Sequence, residues 1–473
     1  MKDMTYEAVM ARQNEIMGKA LGIDYSDYER DGIVFDYEAM MDDVGIMVDE
    51  VARIQKDMGV GNTPLMDMKN ITALARKIAK PGYGARILVK DEAANPSGSF
   101  KARRAALSVW DARRKGYEGV IAATSGNYGA AVASMAARLG LKCIVIQECY
   151  DSEIKGQPEI LEKQRKCEAL GAEVIQMTVG PELFYYALSL LEETGFYNAS
   201  LYSPSAIAGI ETLGVEIARQ CRREYNLVPD VVIATHAGGG NLTGTARGLI
   251  KAGLKETKVY AASVDLSGLS MASDRDFNRK SFTTGHTGFG IPFASLPDRS
   301  DVPRNAARAL RYIDRYLLVK QGEVFYTTEM LASLEGIERG PAGNTSLAAA
   351  FALSRELPQE QTIVVQETEY TGAGKHPMPQ LTFARQNGID VCFGDPEEEI
   401  AGQSIVLPVH PSMIRVRDYD MGRLRLSALR RMAEGRDQWS GEEILYMAAE
   451  INLGAEETEA LLRDLQVAEQ REG

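Results

Sequence analysis

Cysteine, histidine and tryptophan are scarce in this chain, whose 473 residues include five cysteines, four histidines and two tryptophans. The cysteines form no C-x-x-C pair and the histidines show no H-x-x-x-H spacing, so neither a disulfide framework nor a zinc site is indicated. We interpret the cysteines as reduced thiols of a cytoplasmic protein, and we expect no metal. They are Cys143, Cys149, Cys167, Cys221 and Cys392.

Long apolar runs and an excess of basic residues are also lacking. No stretch approaches the ~20 apolar residues that span a bilayer, and Met1 to Glu15 lacks the apolar core of a signal peptide. The formal net charge of −13 argues against broad binding to nucleic acid or to anionic membranes, because both would repel such a surface. With 45% apolar and 25% charged residues, the composition is that of a soluble globular protein.

The middle of the chain, from about residue 61 to residue 390, alternates short β-branched runs with alanine-rich stretches. This alternation predicts an α/β fold with parallel sheets covered by helices on both faces, and the length predicts two lobes. The predicted strands are 86–90, 119–123, 142–147, 173–177, 231–235, 258–264 and 362–366. The predicted helices are 101–114, 129–138, 158–170, 243–251 and 345–357.

The two ends of the chain have a different character. Residues 1–60 form an acidic, helical extension without a strand run, and residues 396–473 follow an acidic, proline-marked connector and form a charged helical tail. Between them we place a large domain at 61–110 and 206–395 and a small domain at 111–205. The extensions either pack on the core or bind a partner, and the sequence leaves both roles open.

The first segment with chemical character is Asn95-Pro-Ser-Gly-Ser-Phe-Lys101-Ala-Arg-Arg. A predicted strand leads through this polar turn into a helix that begins near Lys101. The positive end of a helix dipole disfavours an ammonium group, so we expect a lowered pKa, which suits an amine that attacks an aldehyde. Alone, the pattern is more typical of an exposed lysine after a turn.

The second segment, Thr124-Ser-Gly-Asn-Tyr-Gly129, lies between a predicted strand and a predicted helix. Its backbone N–H groups and the hydroxyls of Thr124 and Ser125 can bind an anion such as a substrate carboxylate. Asn127 can donate an amide N–H to a phenolate oxygen. Alone, such a loop is equally typical of a tight turn between strand and helix.

The third segment, Gly238-Gly-Gly-Asn-Leu-Thr-Gly244, also follows a predicted strand and opens a helix. Three successive glycines expose backbone N–H groups to close approach, which suits a phosphate. No Gly-Lys-Ser/Thr follows, so this is not a P-loop, and no acidic residue stands at the dinucleotide-binding distance of ~20 residues. The sequence therefore predicts a site for one phosphate.

The fourth segment, Glu367-Thr-Glu-Tyr-Thr-Gly-Ala-Gly-Lys-His376, follows the predicted strand 362–366. Ligands of open α/β sheets bind beyond the carboxyl ends of the strands, where the other glycine loops also lie. The hydroxyl of Thr368 would offer a neutral hydrogen-bond partner to a heterocycle nitrogen. Glu367 and Glu369 remain alternatives for that role.

Together these segments resemble the fold-type II pyridoxal-phosphate (PLP) enzymes, the tryptophan synthase β-chain-like group that includes threonine synthase, threonine dehydratase and cysteine synthase. The group's pattern is N-P-[ST]-G-S-F-K, then S-G-N-x-G, a glycine-rich phosphate loop, and a Ser or Thr facing the pyridine nitrogen. The resemblance covers about residues 61 to 390. It implies two open parallel-sheet lobes with helices on both faces, PLP as cofactor, and chemistry at the β-carbon of an amino acid.

The resemblance also implies a role for each matching residue. Lys101 would bind PLP as a Schiff base and move the α-proton, and Asn127 would contact the 3′-oxygen. Thr368 would face the ring nitrogen. The phosphate would lie on Gly238, Gly239, Gly240 and Asn241. The substrate carboxylate would lie on Thr124, Ser125, Gly126, Tyr128 and Gly129. The loop Gly285–Gly290 resembles a substrate-side loop, whereas Arg339-Gly340 departs from the glutamate found in many relatives.

The whole chain, including both extensions, resembles one branch of this group. In that branch the catalytic chains are expected to form a dimer, work with a small second subunit and cleave an amino acid with coenzyme A. A lyase resembling threonine synthase or dehydratase, and a non-catalytic PLP-carrying subunit, remain alternatives. The basic run of Arg103, Arg104, Arg113, Arg114 and Lys115 either contributes to a coenzyme A site or is a solvated helix face.

Overall fold

The computed structural model describes residues 2–124, 126–151, 153–180, 182–266, 281–283, 294–297, 302–370 and 377–472. Strands β1 to β13 of this part cover Leu65–Asp67, Arg86–Asp91, Gly119–Thr124, Lys142–Tyr150, Glu173–Thr178, Tyr197–Asn198, Val231–Thr235, Lys258–Val264, Arg315–Val319, Thr362–Glu367, Asp390–Gly394, Ser404–Pro408 and Arg417–Tyr419. Its α-helices, α1 to α17, cover Tyr6–Ala11, Gln13–Leu21, Tyr37–Asp42, Val48–Asp57, Lys69–Ile78, Lys101–Arg114, Asn127–Leu139, Pro158–Ala169, Glu182–Thr194, Pro204–Tyr225, Gly240–Lys251, Gln321–Glu335, Pro341–Ser354, Pro377–Gln386, Met421–Ala433, Gly441–Ile451 and Ala455–Glu472.

The larger sheet has the strand order β1-β2-β10-β7-β8-β9-β13. Its five inner strands are parallel, and β1 and β13 close the two edges as antiparallel strands. Every residue of β10 is buried, because helices cover both faces of the sheet, and a nearly continuous β-branched run suits such a strand. This lobe contains the loops that follow β2, β7 and β10.

The smaller sheet is entirely parallel, with the order β5-β4-β3-β6. Helix α6 leads from the large lobe into it, and α10 leads back. Helix α10 starts where the Ser203 side chain accepts a hydrogen bond from the N–H of Ala206, with Pro204 at the first helical position. It ends at Asn226 in the left-handed conformation. The predicted α/β class with two parallel-sheet lobes is confirmed, while the domain boundaries stay a prediction.

The terminal extensions pack on the lobes. Apolar residues of α1 to α4 share a core with the small lobe, and those of α15 to α17 share one with the large lobe. Charged contacts add to this packing: Arg247 pairs with Glu38 at 2.7 Å, and Arg311 pairs with Glu450 at 2.8 Å. The C-terminal part also supplies strands β12 and β13, which the sequence analysis did not predict. Both extensions therefore have a packing role.

All seven predicted strands and all five predicted helices are present, with ends shifted by up to four residues. The longest element missed was α10. Gly116, Gly140, Gly171 and Gly253, each just past the end of a helix, have φ between 71° and 87°, the left-handed conformation that commonly ends helices. No helix among the described residues has both the length and the apolar character needed to cross a membrane.

Candidate functional site

The predicted loops lie at the carboxyl ends of β2, β3, β7 and β10. Two of them are joined directly: the N–H of Phe100 donates to the carbonyl of Thr368 at 3.1 Å, and the N–H of Tyr370 donates to the carbonyl of Gly98 at 2.8 Å. The segment after β10 therefore lies against the turn that ends at Lys101, which is where open α/β sheets bind ligands.

Lys101 is the first residue of α6 and is only partly accessible to solvent. Burial lowers the pKa of Lys101 to about 8, opposed by the charge of Glu369 and assisted by those of Lys163 and Arg104. The lowered pKa agrees with the sequence-based expectation, but the leading cause is burial rather than the helix dipole. The unprotonated fraction of the amine near neutral pH is therefore far larger than at the ordinary lysine pKa of 10.5, which favours its role as a nucleophile.

The loop after β3 opens α7 at Asn127. Its turn is fixed by the N–H of Gly126, which donates to the Thr124 hydroxyl at 3.0 Å. The Asn127 side chain is buried, and its Oδ1 has no hydrogen-bond partner within the described part of the chain. Tyr128 and Gly129 face the interior, where the Tyr128 hydroxyl donates to the Ser200 carbonyl. Ser125 lies outside the described residues.

The glycine-rich loop after β7 has the geometry of an anion site. Gly239 has φ +84°, which favours glycine, and α11 begins at Gly240. Both side-chain polar atoms of the buried Asn241 lack a partner among the described residues. Unpaired N–H groups at a helix start together with an unsatisfied amide suit a phosphate.

Arg104 lies beside this loop, a placement that the sequence analysis missed. A Cβ added to Gly240 would lie 2.6 Å from its Nη2, so only glycine lets the guanidinium approach. Arg104 is buried, makes no salt bridge to a described carboxylate, and leaves its Nε unpaired. Burial lowers the pKa of Arg104 to about 10, which reflects the cost of holding this cation without an anion.

His236, at the start of the same loop, was also missed. Burial lowers the pKa of His236 to about 4, so the ring is neutral at physiological pH. Its Nδ1 forms a 3.0 Å hydrogen bond with the Tyr316 hydroxyl, and its Nε2 has no partner in the described structure. Nε2 lies 3.3 Å from the position of a Cβ on Gly239. The ring therefore borders the anion site without adding charge.

The segment after β10 contributes buried polar groups. Burial, assisted by the charge of Asp91, raises the pKa of Glu367 well above its usual range, which favours the neutral carboxylic acid. Thr368 is buried, and its backbone carbonyl bonds to Phe100. The rest of the predicted segment, residues 371–376, and the predicted substrate-side loop at 285–290 lie outside the described residues. Arg339, at the noted departure from the family pattern, pairs with Asp91 at 2.5 Å.

The basic run along α6 is divided between two environments. Arg103 and Arg104 are buried, whereas Arg113, Arg114 and Lys115 are exposed at the end of the helix. Arg103 forms salt bridges with Glu92 and Glu216 at 2.7 and 2.8 Å. The run is therefore neither one basic patch nor one solvated face.

These groups fit a phosphorylated aldehyde cofactor. Among the described residues the site offers an amine of lowered pKa, a buried cation that makes no salt bridge, a helix start for a phosphate, and unsatisfied amides on two sides. The hydroxyls of Ser97 and Ser99, in the turn before Lys101, are also buried without a partner among the described residues. No described group of three or more acidic, histidine or cysteine residues could hold a metal ion. The fold and the site together define a PLP-dependent enzyme.

Comparison with known proteins agrees with this class. Residues 56–369 match the family model described as pyridoxal-phosphate dependent enzyme, and the chain belongs to that family. The crystal structure of the threonine deaminase from T.th. matches 67% of this chain and 96% of that chain, with a TM-score of 0.51 and 26% identity. The predicted cofactor, PLP, is therefore confirmed.

Two relatives are similar over nearly the whole chain, including the extensions. The 2-amino-4-ketopentanoate thiolase beta subunit of Acetoanaerobium sticklandii is 66% identical over 429 residues, covering 91% of each chain. A protein of the same name from an unknown prokaryotic organism is 60% identical over 468 residues, covering 98% of this chain and 99% of its own. These relatives identify the branch of the PLP-dependent enzymes that the sequence resembles as that of the 2-amino-4-ketopentanoate thiolase beta subunits.

Proposed function

We propose that this chain is the catalytic subunit of a PLP-dependent thiolase. It cleaves (2R)-2-amino-4-oxopentanoate with coenzyme A to acetyl-CoA and D-alanine, in oxidative ornithine degradation. The observation that carries the proposal is the 66% and 60% identity to thiolase beta subunits, which extends beyond the PLP-binding lobes into both extensions. The scattered thiols agree with it, because coenzyme A supplies the sulfur nucleophile and no protein cysteine is needed.

The site residues have the following roles in this proposal. Lys101 binds the cofactor and moves the α-proton, Asn127 contacts the 3′-oxygen, and Thr368 faces the ring nitrogen. The phosphate lies on Gly238 to Asn241, and the substrate carboxylate lies on the loop from Thr124 to Gly129. When bound, PLP withdraws electrons from the substrate α-carbon, which weakens the neighbouring bonds.

The partners are also part of the proposal. The name "beta subunit" of the two relatives implies an alpha subunit, and we expect a small one here, together with a dimer of catalytic chains. In this proposal the alpha subunit supplies part of the coenzyme A site, since this chain is acidic overall and only Arg113, Arg114 and Lys115 of its basic run are exposed to a phosphate-rich ligand. A cytoplasmic location agrees with five cysteines that form no disulfide.

Co-expression with the small subunit tests this function. The purified complex is expected to form acetyl-CoA and alanine from 2-amino-4-oxopentanoate and coenzyme A, measured by mass spectrometry. A 2-oxoacid and ammonia formed without coenzyme A would favour a threonine synthase-like or dehydratase-like lyase instead. Bound PLP without turnover of the amino acid would favour a non-catalytic subunit.

Arg104 provides a test of the phosphate site. Substitution Arg104→Met is expected to weaken PLP binding about ten- to a hundredfold, because a hydrogen bond to a charged group contributes ~1.5–3 kcal/mol. Apoenzyme is titrated with PLP and, separately, with pyridoxal, and the absorbance change gives both dissociation constants. The loss should be confined to PLP, since pyridoxal has no phosphate.

Arg113→Met is the matched control, because Arg113 is an exposed arginine on the same helix. We expect both ligands to bind this variant as they bind the unsubstituted protein. Equal weakening of PLP and pyridoxal binding by Arg104→Met would assign Arg104 to the packing of the lobe rather than to the phosphate.

A further inference from the structure

A buried cluster of three charged side chains lies next to Lys101 and has no role in the site described so far. Lys163 and Glu159 form a salt bridge one turn apart on α8, and Lys163 Nζ lies 4.0 Å from Glu369 Oε2. Lys163 and Glu159 are each 1% exposed and Glu369 is 3% exposed. The structure thus places one lysine between two carboxyl groups in a region that excludes water.

Three elements bring this cluster against the reacting lysine. Glu369 follows β10 and pairs as an isolated antiparallel bridge with Ser99, two residues before Lys101. A Cβ added to Gly126, in the loop after β3, would lie 2.6 Å from Lys163 Cδ. The charges of Glu369, Lys163 and Glu159 all act on the pKa of Lys101. The cluster therefore borders the same space as Lys101 and Asn127.

The cluster also has unused hydrogen-bonding capacity. Glu159 Oε2 and Glu369 Oε1 are buried and have no hydrogen-bond partner among the described residues. Burial raises the pKa of Glu159 to about 7, against the opposing charge of Lys163. Two carboxylates beside one ammonium would leave a net negative charge in a buried place, so the uptake of one proton neutralises the cluster.

The proposed reaction needs such a group. Lys101 receives the α-proton and is then an ammonium, so it cannot also accept the proton of the thiol. In the cleavage, the S–C4 bond forms and the C3–C4 bond breaks, with its electron pair passing to C3. The thiol loses a proton and C3 gains one, so the balance closes without any further reactant.

We propose that the cluster of Glu159, Lys163 and Glu369 is the second acid–base group of the site, which accepts the thiol proton and delivers a proton to C3. This inference rests on the proposed thiolase function. The carboxyl groups exchange the proton, and Lys163 is a positioning residue that holds both of them. In these proton transfers Lys101 serves only the α-carbon.

Proton exchange in D₂O separates the two acid–base groups without requiring acetyl-CoA. With D-alanine and the PLP-loaded complex, ¹H NMR is expected to show deuterium entering both the α-position and the methyl group. In Glu159→Gln and Glu369→Gln, exchange at the methyl group should fall at least ~10²-fold, the usual contribution of general acid–base catalysis, while α-exchange persists. Acetyl-CoA formation should fall in parallel with methyl exchange.

Glu211→Gln is the matched control. Glu211 is a buried carboxylate paired with Arg247 and Lys251, on α10 and apart from the proposed acid–base groups. It should keep both exchanges, and PLP absorbance shows for each variant that the cofactor is bound. Lys163→Met should slow methyl exchange as well, because it removes the group that orients both carboxyls.

Three results would contradict the inference. One is methyl exchange in both glutamine variants at the rate of the unsubstituted protein. Another is an equal loss of α-exchange and methyl exchange, which would indicate a general structural role. The third is unsubstituted protein that exchanges only the α-proton. Failure of the thiolase function is a separate outcome, because it appears as missing acetyl-CoA while the difference between the two exchanges in alanine persists.

Discussion

Replacement of Lys101 by alanine is expected to abolish covalent attachment of the cofactor and to lower acetyl-CoA formation by at least ~10³-fold. The amine has two roles in the proposed reaction, since it holds PLP and moves the α-proton. Its pKa of about 8 makes it available for both near neutral pH. Borohydride reduction followed by peptide mass spectrometry measures the attachment, and a coupled assay measures acetyl-CoA.

The control for this substitution is Lys77→Ala. Lys77 is an exposed lysine on α5 and lies outside the loops of the site. The Lys77→Ala variant should still form the borohydride-reduced adduct on Lys101, and its rate of acetyl-CoA formation should be unchanged. A Lys101→Ala variant that still yields a reducible lysine adduct at normal turnover would move the cofactor attachment to another residue.

Replacement of Arg103 by methionine is expected to lower the free energy of unfolding by about 3–5 kcal/mol, the usual cost of breaking a buried ion pair. Arg103 is fully buried, and its Nε and Nη2 lie 2.7 and 2.8 Å from Glu92 Oε2 and Glu216 Oε2. Methionine fills a similar space but leaves the buried Glu92 without its cation. Denaturant titration followed by circular dichroism measures the change.

The loss of unfolding free energy caused by Arg103→Met should be smaller in acid than at neutral pH. Although burial alone would raise it, the pKa of Glu92 lies below its ordinary value of 4.5 because Arg103 stabilises the carboxylate. This contribution to stability is fully present above about pH 5 and is lost as the pH falls through the depressed pKa. The difference between the unsubstituted protein and Arg103→Met should therefore shrink in acid.

Arg219→Met is the comparison for Arg103→Met. Arg219 forms a 2.7 Å salt bridge with Asp49, but both side chains are mostly exposed. Such a pair contributes about 0–1 kcal/mol, because water and salt screen the charges. Equal losses for Arg103→Met and Arg219→Met would show that the buried network does not carry the stability assigned to it.

Local patterns were enough to predict most of the α/β elements. The strand at 362–366 was predicted because a strand that is buried on both faces carries a continuous run of β-branched residues. The helix from Lys101 to Arg114 was predicted because a polar turn precedes its first residue. Helix α10 was not predicted because Gly209 and Gly214 lie within it, and glycine inside a helix weakens the local helical pattern. The edge strand β13 has only three residues, too few for a periodic pattern.

The sequence alone determined which segments carry the site residues and in what order they follow one another along the chain. Lys101 stands at a helix start, and glycine loops follow two strands, because the chemistry of a turn between strand and helix depends on residues a few positions apart. The resemblance built on those loops indicated PLP, and the family comparison agrees with it.

Only the tertiary structure decided which partners the charged side chains of α6 and α8 have. Arg103 and Arg104 are adjacent in sequence, yet one is held by Glu92 and Glu216 while the other lies beside Gly240. Glu159 and Lys163 had no signal of their own, because their approach to Lys101 depends on how α8 packs against segments more than thirty residues away. Such contacts are set by the packing of the two lobes, which local sequence patterns do not encode.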